Sequence, residues 1–344
     1  MKAAIYNPYL DTFGGGERYS LCFAIALNKL GYNVDLFWHD TSIKDKLESR
    51  FGLSLKKINI VHDIRKGNGY DLCFWVSDGS IPLMSARRNF IHFQVPFKGV
   101  DGRSLINKMK LFRVKEVICN SNFTKSVIDN EYGINSIVLY PPVSVSDLKA
   151  SKTKENIILS VGRFSQLAQA KRQDVLVSAF KKLYVKHKEF QNFKLILIGG
   201  ADIGADKYVK NLIRLSEGFP IEIYTSVDYE IVKNYYTKAK IFWTASGFGV
   251  DEIKYPQKVE HFGISLVEAM ASGTVVFAYN AGGHKEIVSD GVDGFLWREQ
   301  SQLVKKTAEI FSNVNLQKQV SKNATKKAKQ FSLEVFFKKV KEIV

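Results

Sequence analysis

The stretch SVSDLKASKTKENIILSVGRF, residues 144–164, decides how this chain is divided. Its first part, through Asn156, is polar, has no periodicity and follows the Pro141-Pro142 pair, so it reads as a connection between structured parts. At Ile157 an apolar run begins that reads as a strand ending at Gly162 and turning at once into Arg163. A new strand after a polar break marks the start of a second strand-and-helix series.

Upstream of the break, short β-branched or aromatic runs read as strands: KAAIYN (2–7), NVDLFWH (33–39), INIVH (58–62), DLCFWVS (71–77), NFIHFQ (89–94), EVICNS (116–121) and SIVLYPP (136–142). Downstream, NIILSVG (156–162), KLILIGG (194–200), IEIYTS (221–226), IFWTAS (241–246) and VVFAY (275–279) repeat the rhythm, with helical segments from there to the terminus. Longer amphipathic stretches lie between the runs, and that alternation argues for parallel sheets connected by helices. The chain is therefore expected to form two Rossmann-like α/β domains, residues 1–148 and 149–330, with a helix at 331–344 packing back toward the first. Open sheets of this kind bind ligands outside the carboxyl ends of their strands, which places the expected site in a cleft across which the domains face.

Composition agrees with this division. A chain of 344 residues exceeds what one core usually organises, and 45% hydrophobic with 24% charged residues describes a globular protein. The first residues hold too short an apolar run for a leader, and no run approaches the roughly 20 apolar residues that span a bilayer. Cys22, Cys73 and Cys119 sit far apart in apolar runs, with neither disulfide nor metal spacing, so a reducing cytoplasm fits. The net charge of +16 favours anionic partners, among them the inner face of a membrane. Nucleic acid is not expected, because the basic residues are not interleaved with aromatics on one surface. In GRSLINKMKLFRVKEV (102–117), Leu105, Ile106, Met109 and Phe112 share one helical face amid Lys and Arg. That face suits either holding a lipid-linked acceptor at a bilayer surface, in peripheral contact with an anionic membrane, or the core side of an ordinary helix.

The loops after strands carry the chemistry. Gly14, Gly15 and Gly16 precede a helix opening near Glu17, where backbone amides and a positive helix end can approach a phosphate or sugar. Gly162-Arg163 and Lys171 follow the first strand of the second half, and two cations there can clamp a diphosphate. The most informative stretch is EHFGISLVEAMASG, residues 260–273. Gly263 lets the backbone come close to a ligand, and the amides of Gly263, Ile264 and Ser265 lie at a helix start that favours an anion. Glu260 before that helix and Glu268 inside it can accept hydroxyl hydrogen bonds, the first from a hexose and the second from a ribose. The bland reading of each feature is a tight turn, a surface cation pair or an ordinary surface glutamate.

These motifs resemble the retaining GT-B glycosyltransferases of family 4. The likeness runs nearly end to end, through GGGERYS (14–20), HFQVPF (92–97), NSNFTKSVI (120–128), YPPV (140–143), VGRF with KRQDVLVSAF (161–180) and the Glu-x7-Glu of EHFGISLVEAMASG. The GGGER and EHFGI motifs are similar to a mannosyltransferase-containing subgroup, which points to GDP-mannose as donor, with a UDP-sugar as the other choice. The resemblance implies that Arg163 and Lys171 bind the donor diphosphate, Glu260 the sugar and Glu268 the ribose, with Gly15 and Gly16 approaching from the other domain. It also implies that His92, in the loop after its strand, lies near the transferred sugar. The gap between Arg163 and Lys171 is longer than the family's usual spacing, so Arg172 is the alternative to Lys171.

The implied reaction moves a hexose, with retention, to a saccharide or lipid-linked saccharide acceptor, and the nucleotide sugar is a substrate rather than a cofactor. No metal is expected, since no Asp-x-Asp is present and the cations with the helix end can supply positive charge. The rival readings are an inactive or partner-dependent nucleotide-sugar-binding subunit and a nucleotide-sugar 2-epimerase, the latter disfavoured by only six histidines.

Overall fold

The computed structural model describes residues 1–151, 153–166, 169–201 and 204–344. The chain falls into two compact units, Met1–Pro142 with Leu333–Val344, and Val143–Ser332.

In the first unit the strands are β1 (Lys2–Tyr6), β2 (Asn33–Phe37), β3 (Ile58–Val61), β4 (Leu72–Val76), β5 (Arg88–Phe93), β6 (Glu116–Cys119) and β7 (Ile137–Val138). All pair parallel in the order β3-β2-β1-β4-β5-β6-β7. Parallel strands covered on both faces need apolar side chains on both, which is why they read in the sequence as continuous runs instead of alternating ones. Helices α1 (Gly15–Lys29), α2 (Ile43–Phe51), α3 (Leu105–Leu111) and α4 (Asn122–Tyr132) connect them. Local signals set the ends of α4: the Ser121 hydroxyl accepts from the Thr124 amide at 3.0 Å, and Gly133 closes the helix in the left-handed region.

The second unit holds β8 (Glu155–Val161), β9 (Lys194–Gly199), β10 (Ile221–Thr225), β11 (Ala239–Thr244), β12 (Val275–Tyr279) and β13 (Phe295–Trp297). They too are parallel, in the order β10-β9-β8-β11-β12-β13. Its helices are α5 (Gln173–Lys186), α6 (Asp206–Ser216), α7 (Tyr229–Lys238), α8 (Ile264–Ala271), α9 (His284–Ile287), α10 (Gln300–Phe311) and α11 (Val314–Ala328). The strand β13 corrects the expectation of helix alone after residue 279. Phe295 and Trp297 are buried in the core of this unit, but a three-residue strand is too short to show a period.

Both sheets reverse strand order beside their first strand, between β1 and β4 and between β8 and β11. Loops leaving β1 and β8 therefore emerge at the switch points where Rossmann-like sheets bind ligands. The last helix, α12 (Leu333–Ile343), belongs to the first unit. Its Leu333, Phe336, Phe337 and Val340 recur at helical spacing and pack into that unit's core, with the Phe336 ring edge-on to Tyr19 of α1 at 5.2 Å.

Candidate functional site

In the second unit the residues after β8 and those before α8 converge. Gly162 leaves room for the Lys171 stem, whose Cγ would lie 2.9 Å from a Cβ placed there. The Lys171 Nζ then donates to Glu260 Oε2 at 2.6 Å, with the two side chains only 19% and 14% exposed. Burial pushes the Glu260 carboxyl up, but the Lys171 ammonium, aided by His284 and His261, overcomes it and pulls the group down to about 2. Arg163, one residue past Gly162, is exposed. Gln173 Nε2 donates to the carbonyls of both Gly162 and Arg163 at 3.1 Å, fixing this turn.

Arg172, the alternative to Lys171, is turned elsewhere. Its guanidinium donates to both oxygens of Asp174, at 3.1 and 2.9 Å, and to the Phe248 carbonyl at 2.9 Å. Asp174 and the Phe248 carbonyl thus claim the arginine, and of the two cations it is Lys171 that reaches Glu260.

Gly263 caps α8 with φ of 114°, in the left-handed region that a side chain rarely adopts. Just beyond it, the first-turn amides of Ile264 and Ser265 lie at the positive end of the helix. Within α8, only Ile264, Ser265 and Glu268 are not buried, so these three form one open stripe. Glu268 Oε1 accepts from the Tyr229 hydroxyl at 3.0 Å.

Sequence reasoning missed the loop that supports Glu260. The Gly283 amide donates to the Glu260 carbonyl at 2.7 Å, and a Cβ on Gly282 would collide with that same carbonyl. Next in the chain, buried His284 has its Nδ1 2.9 Å from the Tyr279 carbonyl. Burial lowers the His284 imidazole pKa, against the pull of the Glu260 carboxylate. The Gly-Gly-His run after the strand VVFAY was the available signal. Tyr229, opposite Glu268, carried none.

In the first unit, α1 begins at Gly15 directly after Gly14, and the Glu17 carboxylate accepts from the Gly14 amide at 2.6 Å. Gly15 is exposed. At Gly16 a Cβ would run into the Gln94 side chain, so Gln94 of the HFQVPF motif covers this helix start.

His92 needs correction. It lies inside β5, paired with Val76, and not in the loop that follows. Its ring is fully buried and stacks on Tyr19 at 4.0 Å and Phe74 at 5.6 Å, with Nδ1 3.2 Å from the Ile118 carbonyl. Burial drives its pKa down to about 3, so the ring is neutral near pH 7, and its Nε2 is buried with no hydrogen-bond partner among the described residues. The run NFIHFQ had already read as a strand through His92, and β5 ends at Phe93, so it is the loop position implied by the resemblance that fails.

Residues 146–327 match the model of the family described as glycosyl transferases group 1. Among curated proteins the chain is 29% identical over 244 residues to the GDP-Man:Man(3)GlcNAc(2)-PP-Dol alpha-1,2-mannosyltransferase of Homo sapiens, covering 64% of this chain and 46% of that one. It is 23% identical over 377 residues to the alpha-1,3/1,6-mannosyltransferase of Yarrowia lipolytica, covering 85% and 80%. The chain thus spans about half the length of the human relative it matches. A glycosyltransferase from Rickettsia africae shares its fold with a TM-score of 0.76 at 20% identity, over 99% of this chain and 98% of that one. Anabaena HepE in complex with UDP does so with a TM-score of 0.76 at 19% identity, over 99% of both. With its two parallel-sheet Rossmann-like units of seven and six strands and this family match over most of the second, the chain belongs to the group 1 glycosyl transferases of GT-B fold.

Proposed function

We propose that the protein is a family 4 glycosyltransferase of the mannosyltransferase-like subgroup, moving a hexose from a nucleotide-diphosphate sugar to a saccharide or lipid-linked saccharide. The observation that carries the reading is the Lys171–Glu260 pair, 2.6 Å apart beside the Gly263 cap of α8. A buried ion pair next to a helix's positive end is a site whose charges can be re-partnered. An arriving diphosphate takes the Lys171 ammonium and lies against the amides of Ile264 and Ser265, with Arg163 adding a second cation. Glu260, released from the lysine, accepts hydrogen bonds from the sugar hydroxyls. Glu268, oriented by Tyr229, takes the ribose hydroxyls.

In this scheme Lys171, Arg163 and the helix end stabilise the charge that grows on the departing diphosphate. The acceptor hydroxyl attacks the anomeric carbon on the face the diphosphate leaves, its proton passes to a leaving phosphate oxygen, and configuration is retained. Glu260 positions the sugar and forms no bond to it. Because protein cations neutralise the diphosphate, the scheme needs no divalent metal and no cofactor. The likeness to proteins named as using GDP-Man supports GDP-mannose as the favoured donor.

The test is transfer from GDP-mannose and UDP-sugars, with products resolved by anomeric configuration. Transfer with retention that is lost in Lys171→Ala supports the proposal. Nucleotide-sugar binding by wild type without transfer to any acceptor would point to a binding-only subunit.

A further inference from the structure

Leu105, Ile106, Met109 and Phe112 are 74%, 65%, 67% and 94% exposed, four large apolar side chains within eight consecutive residues. At i, i+4 and i+7, Leu105, Met109 and Phe112 form one stripe along α3 and its C-cap, with Ile106 beside it. The core side of the segment is taken instead by Leu111 and Val114, which pack on a hydrophobic cluster of the first unit. The stripe is therefore not the inward face of an ordinary helix.

The segment is also held firmly. Glu131 Oε1 accepts from the Val100 amide at 2.9 Å, and Arg103 donates to the Asn130 carbonyl through Nε at 3.1 Å and Nη2 at 2.7 Å. Gly102 lies against Glu131 and Tyr132 so closely that a Cβ there would meet the Glu131 carbonyl at 2.8 Å. The Asn107 side chain ties α3 back to the Asp101 carbonyl at 3.2 Å. An anchored base thus presents the apolar side chains outward.

Charge selects what covers them. Between residues 98 and 115 stand Lys98, Arg103, Lys108, Lys110, Arg113 and Lys115 against Asp101 alone among acids. A second copy meeting this face would set cations against cations. An anionic bilayer matches both features, because apolar side chains enter the acyl boundary while flanking lysines and arginines reach the phosphates. We infer that α3 with Phe112 is a membrane-docking element that seats the first unit on an anionic phospholipid surface. The inference does not rest on glycosyl transfer, since it is read without donor or acceptor.

The test is co-sedimentation of the full chain with phosphatidylcholine vesicles, with and without roughly 30% phosphatidylglycerol. Wild type is expected to bind the anionic vesicles and to be released by high salt. Ile106→Ser with Phe112→Ser should weaken binding at least about tenfold. Lys108→Glu with Arg113→Glu should weaken it through charge alone. All four side chains lie outside the core, so both double variants should melt with the wild type. Absence of wild-type binding at low salt, or variants that bind as well as wild type, would overturn the inference. So would a concentration-dependent dimer abolished by the serine pair while vesicle binding stays unchanged.

Discussion

Replacing Glu260 by glutamine keeps the shape of the side chain and removes its charge, so the substitution isolates what the ion pair with Lys171 contributes. Burial alone would raise this carboxyl, yet the neighbouring cations bring it from its ordinary 4.5 to about 2. At 1.36 kcal/mol per pH unit, that is about 3 kcal/mol of stability for the second unit. A depressed carboxylate contributes fully above its unfolded pKa and loses its contribution as pH falls through the folded one. The wild-type advantage over Glu260→Gln should therefore be full above about pH 5 and vanish between about 4.5 and 2. In a unit of this size it corresponds to roughly 6–12 °C in melting temperature at neutral pH. Calorimetric scans of both proteins at a series of pH values read it directly. Parallel curves for the two proteins from pH 7 down to 3 would refute the reasoning, because the carboxylate would then not be held by its partner.

Gly263→Ala forces a side chain into a backbone of φ 114°, which should cost about 1–3 kcal/mol and weaken donor binding by tilting the first-turn amides of α8; a melt and an affinity equal to wild type would contradict this. His92→Phe should preserve the stacking on Tyr19, lose about 1 kcal/mol with the contact to the Ile118 carbonyl, and leave transfer near the wild-type rate. Because burial lowers the His92 pKa from 6.5 to about 3, the first unit should lose stability as pH falls through that window, and His92→Phe should remove that share of the acid sensitivity. Transfer assayed in EDTA should match transfer with added magnesium, and a strict requirement for a divalent ion would contradict the charge argument at Lys171 and α8.

Much of the fold was legible because strands buried on both faces write themselves as unbroken apolar runs, as in NIILSVG and KLILIGG. The three-residue β13 escaped, since Phe295–Trp297 stands between a glycine and an arginine with no room for a pattern. The 260–268 region was readable because carboxylates, a glycine and a helix start fall close together in the chain. What could not be read was tertiary. Whether Lys171 or Arg172 faces Glu260 depends on Asp174 capturing the arginine. That the His92 ring lies under Tyr19 and Phe74 depends on α1 and β4 packing over β5. The amphipathic stripe of α3 was visible, but a stripe does not say whether it meets a core or solvent. The 282–284 loop was overlooked because its role is to brace a distant carbonyl.

In the proposed function the site around Lys171, Glu260 and the start of α8 holds a nucleotide-diphosphate sugar without metal. A calorimetric titration of wild type and Lys171→Ala with GDP-mannose, UDP-glucose, GDP and UDP in EDTA tests it most directly. One site per chain for one nucleotide class is expected, with affinity reduced at least about tenfold in the variant through loss of a charge-assisted contact. No heat from any of these ligands with folded wild-type protein, or equal affinity in Lys171→Ala, would contradict it.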